Sequence, residues 1–306
     1  MRAFPRDNYL DFLRRVTDRD LVRIITGVRR CGKSTLLELY REDLVRGGVD
    51  PQQILTINFE DAANDKLRDP ENFLGYVLEQ HESKGVQYLH VDEVQELDDW
   101  SRVINSLRVN PGMEICVTGS NATMFSGESL TYLAGRYIEL HMLPLSLAEF
   151  RRFRKDSESI EKSYREWMRI GGFPAAVLAW DPDITDQINS GLFDSIFTRD
   201  IATRGQIRDT EVFLRVARFI FDNTGSPLST NRISNHLKSQ GYSSSPESVD
   251  RYLALMEDAH LIYRCPRFDT QGKQWLKTNG KYYFVDPGLR TALLGSRDVN
   301  LSLIHI

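Results

Sequence analysis

The sequence predicts an α/β protein in which a parallel sheet is followed by a helical lid and a winged-helix domain. Two observations predict the sheet. Short apolar stretches alternate with helical patterns through the first half of the chain, and a glycine-rich loop joins the first apolar stretch to a helix. A third observation, a group of helical patterns followed by two strand patterns after residue 209, predicts the winged helix.

The composition is typical of a globular chain. Its 306 residues are 41% hydrophobic and 27% charged, which is enough for two or three domains with cores of their own. Long apolar runs and the apolar core of a signal peptide are both missing from the sequence, so we expect a cytoplasmic protein without a membrane partner. The three cysteines lie far apart and lack the spacing of a disulfide framework or a zinc site.

The net charge of −4 conceals a difference between the two halves. Residues 1–150 contain 17 Lys and Arg against 24 Asp and Glu, whereas residues 151–306 contain 22 against 19. If nucleic acid is a partner, we expect the second half to contact it. The positive excess there is too small to establish such binding.

The first elements surround a predicted phosphate-binding loop. A helical pattern over residues 1–20 leads into a buried strand at 21–26, and a second helical pattern covers 33–44. Between them, Gly27-x4-Gly32-Lys33-Ser34 fits the spacing G-x4-G-K-S/T, in which successive backbone N–H groups surround the phosphates of a nucleotide. Lys33 can reach the β- and γ-phosphates, and the Ser34 hydroxyl can bind Mg²⁺. The candidate contacts in this loop are Gly27, Val28, Arg29, Arg30, Cys31, Gly32, Lys33 and Ser34.

Two adjacent carboxylates follow a later strand. Residues 54–59 form the second predicted strand, a helix covers 70–82, and the mostly apolar strand at 87–94 contains Asp92 and Glu93 near its end. In ATPases with a phosphate loop, an acid at such a strand end holds Mg²⁺, and a neighbouring glutamate accepts a proton from the attacking water. Together with the loop, these carboxylates predict a P-loop NTPase sheet (RecA/AAA-like) that binds ATP and Mg²⁺.

Two more strands complete the predicted sheet. After a helix that begins near Asp98, residues 114–118 form a fourth strand, which ends in Gly119-Ser120-Asn121. Ser120 and Asn121 are candidates for orienting the water or contacting the γ-phosphate, and an ordinary turn with a helix N-cap is the alternative. Residues 137–143 form the fifth strand. Ligands are expected at the carboxyl ends of such parallel strands.

The second half is predicted to be mostly helical. Residues 147–200 show helical patterns with a break at 171–174, which resembles a lid. Three further helical patterns and two strands then predict the winged helix; they cover 211–223, 230–239, 246–259, 261–267 and 281–285.

A winged helix raises the question of DNA. The presumptive recognition helix is predicted to expose polar side chains that could meet phosphates and bases, namely Ser243, Ser244, Ser245, Ser248 and Arg251. Residues 225–268 hold five basic and four acidic side chains, which is a weak balance for a DNA-binding domain. DNA contact and a packing role, within the chain or with another protein, are both open alternatives.

The order of motifs resembles the bacterial and archaeal predicted ATPases of the AAA+ superfamily that carry a C-terminal domain of unknown function. The matching stretches cover nearly the whole chain: GVRRCGKSTLL, INFED, LHVDEVQ, VTGSN, LAGR, LPLSLAEF, GGFP, SIFTRDIATRGQIRDT and KYYFVDPGLR. The resemblance implies that Lys33, Ser34 and Thr35 contact the nucleotide. It also implies Asp92 as the acid on the Mg²⁺ side, Glu93 as the general base, and Ser120 or Asn121 as a sensor.

The same resemblance makes Arg136 and Arg30 candidates for contact with the γ-phosphate or with a neighbouring subunit of a homo-oligomer. For Arg136, a solvated or ion-paired arginine is the alternative. With the patterns above, the resemblance predicts an ATPase domain at 1–146, a helical lid at 147–208, a winged helix at 209–268 and the start of a truncated C-terminal domain at 269–306.

One departure from the family concerns the end of the chain. Relatives usually continue past residues 281–290 into a mixed α/β segment similar to a nuclease fold. The last six residues, LSLIHI, can be back-translated as CTG TCT CTT ATA CAC ATC, which matches a transposon end used in preparing sequencing libraries. We therefore expect residues 301–306 to be adapter sequence. Any other codons in the source nucleotide sequence would contradict this.

The leading functional interpretation is a Mg²⁺-dependent ATPase whose hydrolysis moves the winged-helix half. The alternative is a nucleotide-dependent switch that binds a protein and hydrolyses rarely. A third interpretation places the ATPase on DNA as a motor or loader.

Overall fold

The computed structural model describes residues 4–17, 20–122, 131–155, 157–207, 209–266 and 280–295. These residues form two compact units. The first contains residues up to Gly27 together with Gly32–Met142, and the second contains Val28–Cys31 together with the chain from Leu143 onward. The predicted adapter residues 301–306 and most of the predicted last domain lie outside the described residues. No helix in the described ranges is long and apolar enough to cross a membrane.

The first unit is a five-stranded parallel sheet with helices on both faces. Its helices are α1 (Asp7–Val16), α2 (Lys33–Arg46), α3 (Pro70–Lys84) and α4 (Trp100–Val109), and its strands are β1 (Val22–Thr26), β2 (Ile54–Asn58), β3 (Tyr88–Asp92), β4 (Glu114–Thr118) and β5 (Tyr137–His141). The strand order is β2-β3-β4-β1-β5, and every pair is parallel. The predicted α/β fold class is therefore confirmed.

The two faces of the sheet differ in chemistry. On the face toward α3 and α4, Ile24, Val91 and Val117 are fully buried in an apolar cluster that continues into both helices. On the opposite face, Arg23 in β1 is buried, and its guanidinium is 2.6 Å from the Glu114 carboxylate. The lone charge inside the first strand is thus neutralised by an acid on the neighbouring strand, which a buried arginine requires.

Local sequence explains where the helices begin. Asp69 caps α3 by accepting hydrogen bonds from the N–H groups of Glu71 and Asn72, and Pro70 occupies the first helical position. The helix ends at Gly85, which has a φ of 70°, a left-handed conformation that favours glycine.

The second unit is mostly helical. Its elements are α5 (Leu147–Arg154), α6 (Ile160–Ile170), α7 (Pro174–Val177), α8 (Pro182–Ser195), a π-helical segment (Ile196–Ala202), α9 (Thr203–Gly205), α10 (Thr210–Asp222), β6 (Pro227–Leu228), α11 (Thr230–Ser239), α12 (Pro246–Asp258), β7 (Ile262–Cys265), β8 (Gly280–Phe284) and α13 (Pro287–Leu294). The three strands form an antiparallel sheet in the order β6-β8-β7. Helix α10, β6, two helices and two strands follow one another in this unit, and their assignment to a winged helix stays a prediction.

Several of these elements differ from the ones that the sequence predicts. The sequence pattern does not predict β6, the π-helical segment or α13, and it places strand and helix ends within three residues of their observed positions except at α1, which is predicted at 1–20 and observed at Asp7–Val16. It also predicted that Ser244 would be exposed. Ser244 is buried, and its carbonyl accepts a hydrogen bond from the Ser234 hydroxyl. The lid and winged-helix domains, with their boundaries, stay predictions.

Helix α13 is anchored at a crowded contact with the GGFP stretch. The buried carboxylate of Asp286 caps α13 through the Gly288 N–H at 2.8 Å and also accepts a hydrogen bond from the Gly172 N–H at 2.5 Å. Burial raises the pKa of this carboxyl to about 6, although hydrogen bonds from the N–H groups of Gly172, Gly288 and Leu289 oppose the shift. Two sequence motifs that lie far apart along the chain, GGFP and VDPGLR, thus meet in one place.

Candidate nucleotide-binding site

The loop between β1 and α2 has the backbone conformation that its glycines permit. Gly27 and Gly32 have φ angles of 141° and 107°, values that residues with a Cβ rarely adopt. No side chain caps the start of α2 within the described residues. The first N–H groups of α2, together with the positive end of its dipole, are therefore suited to an anion such as phosphate.

Lys33 lies inside the loop. Its side chain is 3% exposed, and its ammonium donates a hydrogen bond to the Gly27 carbonyl oxygen at 3.0 Å. The same nitrogen is 4.0 Å from the Glu93 carboxylate. The loop lysine and the carboxylate pair after β3 therefore lie at the same edge of the sheet.

Asp92, the last residue of β3, is buried and bound by hydroxyl groups. The Thr118 hydroxyl donates a hydrogen bond to its carboxylate at 2.5 Å. Burial raises the pKa of Asp92, while hydrogen bonds from Thr118 and from Ser34 oppose the shift. The Ser34 hydroxyl and the Asp92 carboxylate form the oxygen-only donor set that Mg²⁺ prefers, and a bound cation would favour the ionised form of Asp92.

Glu93 turns away from the strand in a left-handed backbone conformation, with a φ of 55°. Its N–H donates to the Thr118 hydroxyl at 3.0 Å. Its carboxylate oxygen Oε2 accepts hydrogen bonds from the Ser120 hydroxyl at 3.2 Å and from the Gln95 amide. The side chain is 8% exposed, so a base at this position is largely shielded from bulk water.

Ser120 and Asn121 follow β4, the strand next to β3, and both are buried. The Ser120 hydroxyl donates a hydrogen bond to the Glu93 carboxylate. The structure therefore brings Ser120 together with Lys33, Ser34, Asp92 and Glu93, as the sequence analysis expects of a residue that acts beside the base. The roles of Ser120 and Asn121 stay predictions.

Arg136 does not join this cluster. It immediately precedes β5, and its carbonyl oxygen accepts a hydrogen bond from the Val22 N–H at the start of β1. A five-residue strand is roughly 17 Å long, so Arg136 lies about that far from the carboxyl edge of the sheet. Its side chain is exposed. Within one chain it is remote from Glu93, so the predicted contact with a neighbouring subunit and the alternative of a solvated or ion-paired arginine are what stay open for it.

The middle of the loop has a partner in the second unit, to which Val28–Cys31 belong. The Arg29 guanidinium donates to the Asp200 carboxylate at 2.9 Å, and the two side chains are 11% and 2% exposed. The sequence predicts Arg29 as a nucleotide contact, and in the structure its side chain forms an ion pair with the buried Asp200. Arg30 is exposed, with a φ of 65°, and Thr35 is exposed on the first turn of α2.

Two residues of the cluster escaped the sequence analysis. Thr118 binds both Asp92 and the Glu93 N–H, and Gln95 binds the Glu93 carboxylate. A threonine at the end of the strand before Gly119 was a usable signal, since carboxyl ends of parallel strands share one edge. No sequence pattern identifies Gln95, because its hydrogen bond to Glu93 depends on the conformation of the turn that follows Glu93.

This loop, its buried lysine and the paired carboxylates at the carboxyl edge of a parallel sheet are the features of the P-loop NTPase fold. A family profile described as "AAA domain" matches residues 19–151, and one described as "Domain of unknown function (DUF8612)" matches residues 161–300. The chain belongs to the AAA-domain family of AAA+ P-loop ATPases.

Relatives occur in bacteria and archaea. The chain is 40% identical over 299 residues to an uncharacterized protein of Haemophilus influenzae, covering 96% of this chain and 74% of that protein. It is 29% identical over 282 residues to the uncharacterized protein MJ1544 of Methanocaldococcus jannaschii, covering 87% of this chain and 60% of the archaeal one. Among solved structures, Cdc6p of Pyrobaculum aerophilum is 12% identical with a TM-score of 0.43, covering 96% of this chain and 94% of that one.

Proposed function

We propose that the protein binds ATP with Mg²⁺ and hydrolyses it. One observation carries the proposal. The loop lysine, the Ser34 and Asp92 oxygens and the Glu93 carboxylate converge at one edge of the sheet, with Lys33 and Glu93 4.0 Å apart. A phosphate group bound by the loop would lie between the Lys33 ammonium, which stabilises its charge, and the Glu93 carboxylate, which activates the water that attacks it.

The residues have distinct roles in this proposal. Lys33 gives up its bond to the Gly27 carbonyl and neutralises the β- and γ-phosphates. Ser34 and Asp92 would hold Mg²⁺, which supplies further charge neutralisation on the phosphate oxygens. Glu93 accepts a proton from the attacking water, and the water oxygen forms a bond to the γ-phosphorus. The bond between the γ-phosphorus and the oxygen that bridges it to the β-phosphate breaks, and ADP leaves. Ser120 holds the Glu93 carboxylate in place.

A switch that binds ATP and hydrolyses it rarely is the alternative. Such a protein needs Lys33 and the metal donors but does not need a positioned base. The three hydrogen bonds that hold the Glu93 carboxylate and its N–H favour the hydrolase.

Coupling to DNA and to other subunits is a further part of the proposal. Residues 225–268 would carry DNA contact, with Ser243 exposed ahead of α12. The Arg251 guanidinium donates to the Gly205 carbonyl, which supports an intrachain packing role for α12. The exposed Arg136 is the candidate for contacting the nucleotide of a neighbouring subunit. Movement of the winged-helix half on hydrolysis would transmit the conformational change to a bound partner.

The test is steady-state ATP hydrolysis by the purified chain, over a range of protein concentrations, with and without duplex DNA. Glu93-dependent turnover supports the ATPase, and a specific rate that rises with protein concentration supports assembly. Salt-sensitive stimulation by duplex DNA supports the DNA interpretation, and no effect of DNA contradicts it. Tight ATP binding without turnover, with Mg²⁺ present, would favour the switch.

Replacement of Lys33 by alanine is expected to weaken ATP binding by at least about a hundredfold. A hydrogen bond to a charged group contributes about 1.5–3 kcal/mol, and the ammonium would make two, to the β- and γ-phosphates. Isothermal titration with a non-hydrolysable ATP analogue measures the change. Lys84→Ala, which alters an exposed lysine at the end of α3, is the matched control and should bind like the unaltered chain. Equal affinity in both variants would contradict the assignment of Lys33.

A further inference from the structure

Gln95 completes a closed set of hydrogen bonds around Glu93. It lies on the short 3-10 turn Val94–Glu96, two residues after the proposed base. Its amide nitrogen donates to Glu93 Oε2 and lies 3.5 Å from the Ser120 hydroxyl, which itself donates to the same Oε2 at 3.2 Å. Both donors therefore hold one oxygen of the carboxylate. The other, Oε1, takes part in neither bond and faces Lys33 at 4.0 Å.

Electrostatics fix the orientation of the Gln95 amide. Turning it over would place its carbonyl oxygen against a carboxylate oxygen, and two acceptors repel each other. The orientation with the nitrogen toward Glu93 leaves the Gln95 carbonyl oxygen buried and without a hydrogen-bond partner among the described residues. A buried acceptor without a donor is costly, and such groups are uncommon in native proteins unless water or a ligand satisfies them.

We propose that Gln95 is the positioning residue that holds Glu93 in the orientation of a general base. This inference rests on the proposed ATPase function. Glu93 and Lys33 form an ion pair at 4.0 Å, and a small side-chain rotation would shorten it to a direct hydrogen bond. Glu93 could then no longer act as the base, and Lys33 would be less free to bind phosphate. Gln95 and Ser120 restrain Oε2 against that rotation. Oε1 then stays available to water, and the unpaired Gln95 carbonyl oxygen is an acceptor for a second hydrogen of that water.

The test is turnover by Gln95→Met, which keeps the length of the side chain and removes both polar atoms. We expect the ATP dissociation constant to change less than about twofold and kcat to fall about tenfold or more, the usual effect of losing a hydrogen bond to a charged group. Gln95→Glu should lower kcat further, because it places a second carboxylate against the base. Gln52→Met, which alters an exposed glutamine ahead of β2, is the matched control and should leave kcat unchanged.

A double-mutant cycle separates positioning from general damage. If Gln95 acts through Glu93, adding Gln95→Met to Glu93→Gln should slow turnover no further than Glu93→Gln alone. Losses that multiply in the double variant, or unchanged kcat in both Gln95→Met and Gln95→Glu, would overturn the inference while the ATPase stands. Equal turnover in Glu93→Gln and the unaltered chain, or no ATP binding by the unaltered chain, would overturn the proposed function and this inference with it.

Discussion

Glu93→Gln is expected to bind ATP as tightly as the unaltered chain and to hydrolyse it at least about a hundredfold more slowly, the typical contribution of a general base. The substitution keeps the shape of a side chain that is 8% exposed and can still accept hydrogen bonds from Ser120 and Gln95 through its carbonyl oxygen. It removes the negative charge that takes up the proton. Binding and catalysis should therefore separate in this variant.

The comparison needs a control for the loss of one negative charge near the site. Glu96→Gln supplies it, because Glu96 lies on the same short turn and forms a partly exposed ion pair with Arg68 at 3.0 Å. Single-turnover hydrolysis and analogue binding should be unchanged in this control within about twofold, since ion pairs of this kind contribute little. Glu93→Gln and Glu96→Gln with the same rate would contradict the assignment of the base.

Gly288→Ala is expected to destabilise the second unit by about 3 kcal/mol or more. A Cβ on Gly288 would lie 2.2 Å from the Ile170 carbonyl oxygen and 2.7 Å from its carbon. Both are backbone atoms, and they cannot rotate away as the end of a flexible side chain can. The carbonyl is held at 2.9 Å by the Asn189 amide, and α13 is held by its Asp286 cap. Overpacking of this severity is among the few causes of large destabilisation by one methyl group.

Gly191→Ala is the matched control for that prediction. Gly191 lies inside α8 in the same unit, and a Cβ there would have no atom within 4 Å. Alanine should stabilise the helix by about 0.5–1 kcal/mol, because glycine loses more backbone entropy on folding. Differential scanning calorimetry should show the transition of the second unit shifted down in Gly288→Ala and slightly up in Gly191→Ala. An unshifted transition in Gly288→Ala would contradict the close packing of α13 on α6.

The sequence by itself determined the parts of the site that depend on short stretches of chain. The spacing of Gly27, Gly32 and Lys33 determines the loop, because glycine conformations and the start of a helix are local properties. Asp92 and Glu93 could be recognised because they follow an apolar strand directly. The α/β class followed in the same way from alternating periodicities and is confirmed, while the roles of these residues stay predictions.

Only the tertiary structure decided which distant residues share the site. The insertion of β1 between β4 and β5 brings the ends of β4 and β3 beside the loop, where Thr118 and Ser120 bind the two carboxylates. The same strand pairing places Arg136 at the opposite edge of the sheet. In the second unit, the fold pairs the Arg29 guanidinium with the Asp200 carboxylate. Strand order, register and buried ion pairs depend on contacts between residues far apart in the chain. Local sequence patterns do not specify which distant residues will form these contacts.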